Sequence, residues 1–167
     1  MDGVAQLIIL RGNSGSGKTT TGKALQRKIG HGTMLISQDV VRREMLFVKD
    51  GPNPEASQLL LELALYGKSN CNIVILEGIL NSKWYKNLFK NLLDEFKEHI
   101  FAYYLDIPFE ETLNRHKQKP NAHDFGEKEM RRWWNEKDLL EIIPEVLLYK
   151  ESSLNEIVDI IYEDVIK

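Results

Sequence analysis

A chain of 167 residues is long enough to bury one compact core without disulfide or metal staples, and its 43% hydrophobic and 28% charged residues are ordinary for a globular protein. The net charge of −3 excludes a general electrostatic attraction for nucleic acid or anionic membrane. The single cysteine, Cys71, excludes an internal disulfide and a multi-cysteine zinc site, a composition that suits a reducing cytosol.

In chain order, residues 1–6 lack the basic flank and apolar core of a secretion signal, and no later apolar run approaches membrane-spanning length. The expected compartment is therefore the cytoplasm, with no membrane partner. Leu7-Ile8-Ile9-Leu10 predicts a buried strand. Directly after it, Gly12-Asn13-Ser14-Gly15-Ser16-Gly17-Lys18-Thr19 spells G-x-x-x-x-G-K-[ST], followed by a helix-forming stretch from about Lys18. A strand before and a helix after are the context that makes this pattern a phosphate-binding loop.

The residue types carry the chemistry. Glycines 12, 15 and 17 let successive backbone N–H groups close on an anion, and the helix behind them turns its positive end to the same point. Lys18 is expected to reach the β- and γ-phosphates. The Thr19 hydroxyl is expected on a Mg²⁺ ion, a hard cation that prefers oxygen ligands. Gly12, Asn13, Ser14, Gly15, Ser16, Gly17, Lys18, Thr19 and Thr20 together form the expected nucleotide-binding segment.

Beyond the loop, residues 20–29 carry Ala24, Leu25 and Ile29 at helical spacing and stop at Gly30-His31-Gly32. A strand is predicted at 33–37, a helix at 40–47, a turn at 49–54 and a helix at 55–69. The run 72–77 predicts a strand buried on both faces. Residues 82–98 place Trp84, Leu88, Leu92 and Phe96 at intervals of four, the pattern of an amphipathic helix. A fourth strand is predicted at 100–106, a helix at 109–116 opened by Pro108, a polar flap at 117–126 and a helix at 127–140. Glu145 to Tyr149 predicts a fifth strand, and Ser153-Leu154-Asn155-Glu156 a capping box opening the last helix.

Strands alternating with helices imply an α/β fold of three layers, a five-stranded parallel sheet flanked by helices, with ligands at the carboxyl ends of the strands. The expectation is a single domain over 1–167 with a short lid at about 115–130. Asp39 and Glu77 both fall at strand ends beside the phosphate loop.

These residues resemble the phosphate-loop kinase group that includes uridine and other nucleoside kinases, adenylylsulfate kinase, gluconate kinase, chloramphenicol phosphotransferase and polynucleotide 5′-hydroxyl kinase. The likeness runs through nearly the whole chain. Ser37-Gln38-Asp39-Val40-Val41-Arg42 is similar to the group's second-strand motif, in which the aspartate takes the proton of the acceptor hydroxyl and the arginine holds the acceptor or the transferring phosphate. Ile75-Leu76-Glu77-Gly78-Ile79-Leu80 resembles the strand end of uridine kinases, and Arg115-His116 before a lysine-bearing flap resembles the lid. The resemblance implies an ATP- and Mg²⁺-dependent kinase acting on a hydroxyl of a small molecule, with a nucleoside such as uridine favoured over a sugar or an antibiotic. Catalysis falls on Lys18, Asp39, Arg42 and Arg115, and the metal on Thr19 and Glu77.

Each assignment has a plainer competitor. Asp39 is either the general base or an N-cap for the next helix, and Glu77 either a metal or substrate ligand or a structural hydrogen-bond partner. Asp106 competes for the metal role but suits a turn or cap, and Arg43 is expected to point away from the ligand. Arg115 either serves the nucleotide or is a solvated charge, with Lys117 and Lys119 weaker candidates for the same work. Arg131, Arg132, Trp133 and Trp134 fit lid-hinge packing better than a base-stacking surface, and the four histidines show no zinc spacing. A polynucleotide or toxin-like kinase is the nearer alternative, with a nucleic-acid partner disfavoured by the charge. An NTP switch without an acceptor is the more distant one. Asn135-Glu136-Lys137-Asp138 misses the guanine motif N-K-x-D, which counts against a GTP switch. The expected assembly is a monomer or homodimer.

Overall fold

The computed structural model describes residues 3–120 and 122–167, so one position of the expected lid, residue 121, lies outside the described residues. Five parallel strands, β1 (Gln6–Gly12), β2 (Thr33–Ser37), β3 (Ile73–Gly78), β4 (Ile100–Asp106) and β5 (Glu145–Tyr149), form one sheet in the order β2-β3-β1-β4-β5. Helices α1 (Lys18–Ile29), α2 (Ala56–Asn70), α3 (Lys86–Phe96), α4 (Phe109–Lys117), α5 (Glu127–Trp133) and α6 (Leu154–Ile166) accompany it. The expected five-stranded parallel fold is the observed one. Among the described residues no helix is long and apolar enough to cross a membrane.

The pleat of β1 explains the layers. Alternate side chains of a strand face opposite sides. Leu7 and Ile9 join Val74, Leu76, Leu60, Leu92 and Phe96 in the core beneath α2 and α3. Ile8 and Leu10 join Ile75, Leu25, Ile157 and Ile161 beneath α1 and α6. Both faces are thus covered, which is why β1 and β3 read as unbroken apolar runs.

Three element boundaries depart from expectation. Residues 40–47 do coil, but Val40–Leu46 is a wide π-helical segment ending on Phe47 in the left-handed region, φ 55°. The amphipathic helix starts at Lys86 rather than residue 82, because Asn81 Oδ1 accepts from the Lys83 and Trp84 amides and holds a separate turn there. Helix α5 stops at Trp133, not near residue 140. Residues beyond it are recruited elsewhere: the Asn135 amide donates to Asn13 and Asp138 accepts from Arg11.

Candidate active site

The phosphate loop lies between β1 and α1, and its glycines are needed where other atoms press in. Gly15 has φ 81°, and a Cβ there would meet the Thr112 carbonyl oxygen at 2.6 Å, so α4 rests directly on the loop. Gly17, at φ 100°, delivers the chain into α1. Lys18 is buried, and its Nζ donates to the Asn13 carbonyl at 2.8 Å and to Ser16 Oγ at 3.4 Å. Burial lowers its ammonium to about 8, while Glu77 and Asp39 pull it back up. Both carboxylates come from the carboxyl-end side of the sheet, where the loop also lies.

The sheet register explains that convergence. Leu10 pairs with Glu77 across β1 and β3, and Ser37 pairs with Glu77 across β2 and β3. Glu77, only 2% exposed, thus sits between the loop strand and the strand that leads to Asp39. The Thr19 hydroxyl donates to Glu77 Oε2 at 2.9 Å. Asp106, the rival for this place, is across β1 on β4 and pairs with Lys137 at 3.3 Å.

Asp39 does not cap the segment that follows it, since its side chain makes no capping hydrogen bond and the nearby Val40 amide turns to Ser37 Oγ. Its carboxylate, 62% exposed, lies 3.6 Å from Arg42 and 3.8 Å from Arg43. Arg43 is therefore turned toward Asp39 and not away from it, since side chains three and four residues apart on a helical turn lie on one side. Arg42 also donates to the Val48 carbonyl at 3.3 Å.

From the last turn of α4, Arg115 donates to the Ser16 carbonyl at 2.8 Å and to Glu111 Oε1 at 3.1 Å, which places its guanidinium on the phosphate loop. Lys119, in the flap, is exposed, and its ammonium is lowered, chiefly by partial desolvation, with Asp39 and Glu77 acting in the opposite sense. The Trp133–Phe125 and Trp134–Phe109 edge contacts, at 5.0 and 5.3 Å, fit the lid-hinge reading of the tryptophans. Among the described residues no group of three or more His, Cys, Asp or Glu side chains is placed to hold a metal.

Two features escape sequence reasoning. Arg11, fully buried beside the loop, donates to both Glu145 oxygens at 3.0 Å, to Asp138 at 2.8 Å and to the Leu80 carbonyl at 3.0 and 3.2 Å. It ties β1 to the segments flanking the site. Gln38, also buried, donates to Tyr85 Oη and Asp50 at 3.0 Å and accepts from the Leu80 amide. The one available signal was a polar residue directly behind a strand and before Asp39.

A family model described as AAA domain matches residues 7–141, most of the chain. The chain belongs to the AAA domain family. This AAA domain protein is similar in structure to the APS kinase of Mycobacterium tuberculosis in complex with AMPPNP and APS, with a TM-score of 0.73 at 16% identity, covering 98% of this chain and 99% of that one. It is also similar to a gluconokinase from Sinorhizobium meliloti, with TM-score 0.64, 15% identity and coverage of 93% and 89%. For shikimate kinase from Acinetobacter baumannii in complex with shikimate, the values are 0.62, 18%, 97% and 93%. These likenesses establish a P-loop kinase-like fold. No curated protein sequence matches the AAA domain protein.

Proposed function

We propose that this protein is an ATP-dependent phosphotransferase that moves the γ-phosphoryl group to a hydroxyl of a small molecule, with a nucleoside the favoured acceptor. The single observation that carries the reading is the buried Lys18 of a glycine-rich loop whose next residue, Thr19, donates to the buried Glu77, with Asp39 two residues beyond the end of the neighbouring strand β2. A binding module has no use for a second, exposed carboxylate there. A kinase does.

The residues present fit the groups this reaction needs. Lys18 spends its donors on its own loop, bonds that a phosphate oxygen can replace. A divalent cation beside the phosphates needs oxygen ligands, and Thr19 with Glu77 supplies a hydroxyl and a carboxylate in contact. When bound, Mg²⁺ would neutralise charge developing on the phosphate oxygens. On the other side of the loop, a cavity of about 480 Å³ lined by Asn13, Asp106, Phe109, Trp134, Tyr149 and Lys150 suits the nucleoside end of ATP.

In the proposed reaction Asp39 accepts the proton of the acceptor hydroxyl as its oxygen attacks phosphorus. Arg42 and Arg43, 3.6 and 3.8 Å away, hold that carboxylate in place by opposite charge. Lys18, the amino end of α1, Arg115 and Lys119 offer positive charge to the transferring group. Closure of the flap would exclude the water that otherwise competes as acceptor. ADP release measured with a panel of nucleosides, sugars and phenicol or aminoglycoside antibiotics tests the reading: the proposal expects at least one to raise turnover and become phosphorylated.

A further inference from the structure

We infer that Gln38 is a positioning residue for the acceptor side of the site: it binds the end of β2 that carries Asp39, the turn after β3 and the loop at 48–51 into one wall, and leaves the nucleotide to the phosphate loop. The inference rests on the kinase reading above for what Asp39 does, and deepens it by naming what holds Asp39 in place.

Leu80 is fully buried and has φ 45°, a left-handed backbone that a bulky side chain adopts only at a cost. Such strain persists where the surroundings over-determine it. In the sheet order β2-β3-β1, the strands on either side of β3 both reach over the turn that follows it. From β1, Arg11 donates to the Leu80 carbonyl at 3.0 and 3.2 Å. From the end of β2, Gln38 Oε1 accepts the Leu80 amide at 3.0 Å. Both backbone groups of the strained residue are thus held by side chains from the flanking strands. Gly78 makes room for this, since a Cβ there would meet Gln38 Oε1 at 2.4 Å and Gln38 Cβ at 2.6 Å. The Gln38 side chain therefore lies across the backbone next to Glu77.

The other end of the same amide serves the loop. Gln38 Nε2 donates to Asp50 Oδ2 and to Tyr85 Oη, both at 3.0 Å, and Tyr85 Oη donates to Asp50 Oδ1 at 2.7 Å. Burial and the Asp50 carboxylate push the ionisation of Tyr85 above the usual phenol range, so the phenol stays a donor. Arg42 holds the start of the loop: its carbonyl accepts the Val48 amide at 2.9 Å, and its guanidinium donates to the Val48 carbonyl at 3.3 Å. Asp39 lies between two clamps on one loop, with Gln38 beside it in the chain and Arg42 at 3.6 Å. Leu80, Asp50 and Tyr85, the partners of Gln38, all lie outside the phosphate loop. Disturbing Gln38 should move the acceptor step and spare nucleotide affinity.

The test compares Gln38→Met, Gln38→Glu, Tyr85→Phe and the double variant Gln38→Glu with Asp50→Asn, each as the full chain with AMPPNP and Mg²⁺ bound. Gln38→Glu sets a second carboxylate against Asp50, whereas the double variant restores a donor and acceptor pair with the charge moved from one position to the other. Hydrogen exchange should show segments 37–42, 48–51 and 78–82 losing protection together in Gln38→Met and Gln38→Glu, with residues 12–20 as protected as in the wild type. AMPPNP affinity should be unchanged, and all three segments should recover in the double variant. With an acceptor found by ADP release, transfer should fall on the order of 10²-fold, with the KM for ATP unchanged, and recover likewise. If no hydroxyl compound raises turnover, the kinase reading falls alone and the exchange pattern decides this inference. Should Gln38→Met not fold, Tyr85→Phe, which removes one hydroxyl from the same network, carries the comparison. Loss of protection that extends to the phosphate loop, or that is confined to one of the three segments, overturns the inference. So does transfer that is unchanged by the single variants or that the double variant fails to recover.

Discussion

The Thr19 hydroxyl donates to Glu77 Oε2 at 2.9 Å, joining the last residue of the phosphate loop to the end of the neighbouring strand. The contact pairs a hydroxyl and a carboxylate where a hard cation would lie beside phosphate. It also explains why Glu77 is tolerated at 2% exposure, since a buried carboxylate left unpaired is costly.

Lys18→Met should abolish measurable nucleotide affinity while stabilising the nucleotide-free protein. Folding lowers the Lys18 ammonium from 10.5 to about 8. Between those values the unfolded chain binds more protons than the folded one, so the stability of the wild type rises with pH there. Below pH 8 the full penalty applies, and urea unfolding at pH 7 should show the variant more stable by roughly 1–3 kcal/mol. The difference should shrink toward pH 10. ADP affinity of the wild type should fall as pH rises through 8, because the ammonium is lost.

Asp39→Asn should cut transfer by roughly 10²-fold or more, as expected when a general base is lost, with ATP affinity nearly unchanged. A matched loss of ATP affinity, with transfer per bound ATP intact, would move Asp39 to the metal or to structure.

Gly15→Ala should destabilise the protein by about 2 kcal/mol or more and weaken nucleotide binding, because the added Cβ meets backbone and not a movable side chain. The Thr112 carbonyl would be 2.6 Å away and φ is already 81°. Thermal unfolding with and without ADP separates the two effects.

Much of the fold is legible in the residues themselves. The apolar runs of β1, β3 and β4 need no knowledge of their partners, and the loop pattern is local. What is not legible depends on distant pairing. Residues 134–140 carry helical spacing, yet Asn135 bonds Asn13 and Asp138 bonds Arg11, more than 120 positions away. Arg11 itself reads as a strand-end charge until the fold surrounds it with Glu145, Asp138 and the Phe89 and Tyr104 rings. Of the candidate site, Lys18 and Thr19 are local to the loop motif and the strand order brings Glu77 to them, whereas the approach of Arg43 to Asp39 is a spacing of four residues on a helical turn that the sequence itself offers.

Glu145→Ala should cost about 3–5 kcal/mol, the scale for breaking a buried ion pair by removing one partner. Arg11 is 0% exposed and Glu145 1%, so the guanidinium would stay buried with fewer acceptors. Chemical denaturation should show a lower midpoint with an unchanged slope.

The most direct test of the central claim follows the labelled γ-phosphate of ATP in the presence and absence of a nucleoside. The account predicts label on the nucleoside hydroxyl, in step with ADP, in the wild type and almost none in Asp39→Asn. Label appearing solely as inorganic phosphate, at a rate no hydroxyl compound alters, would contradict it.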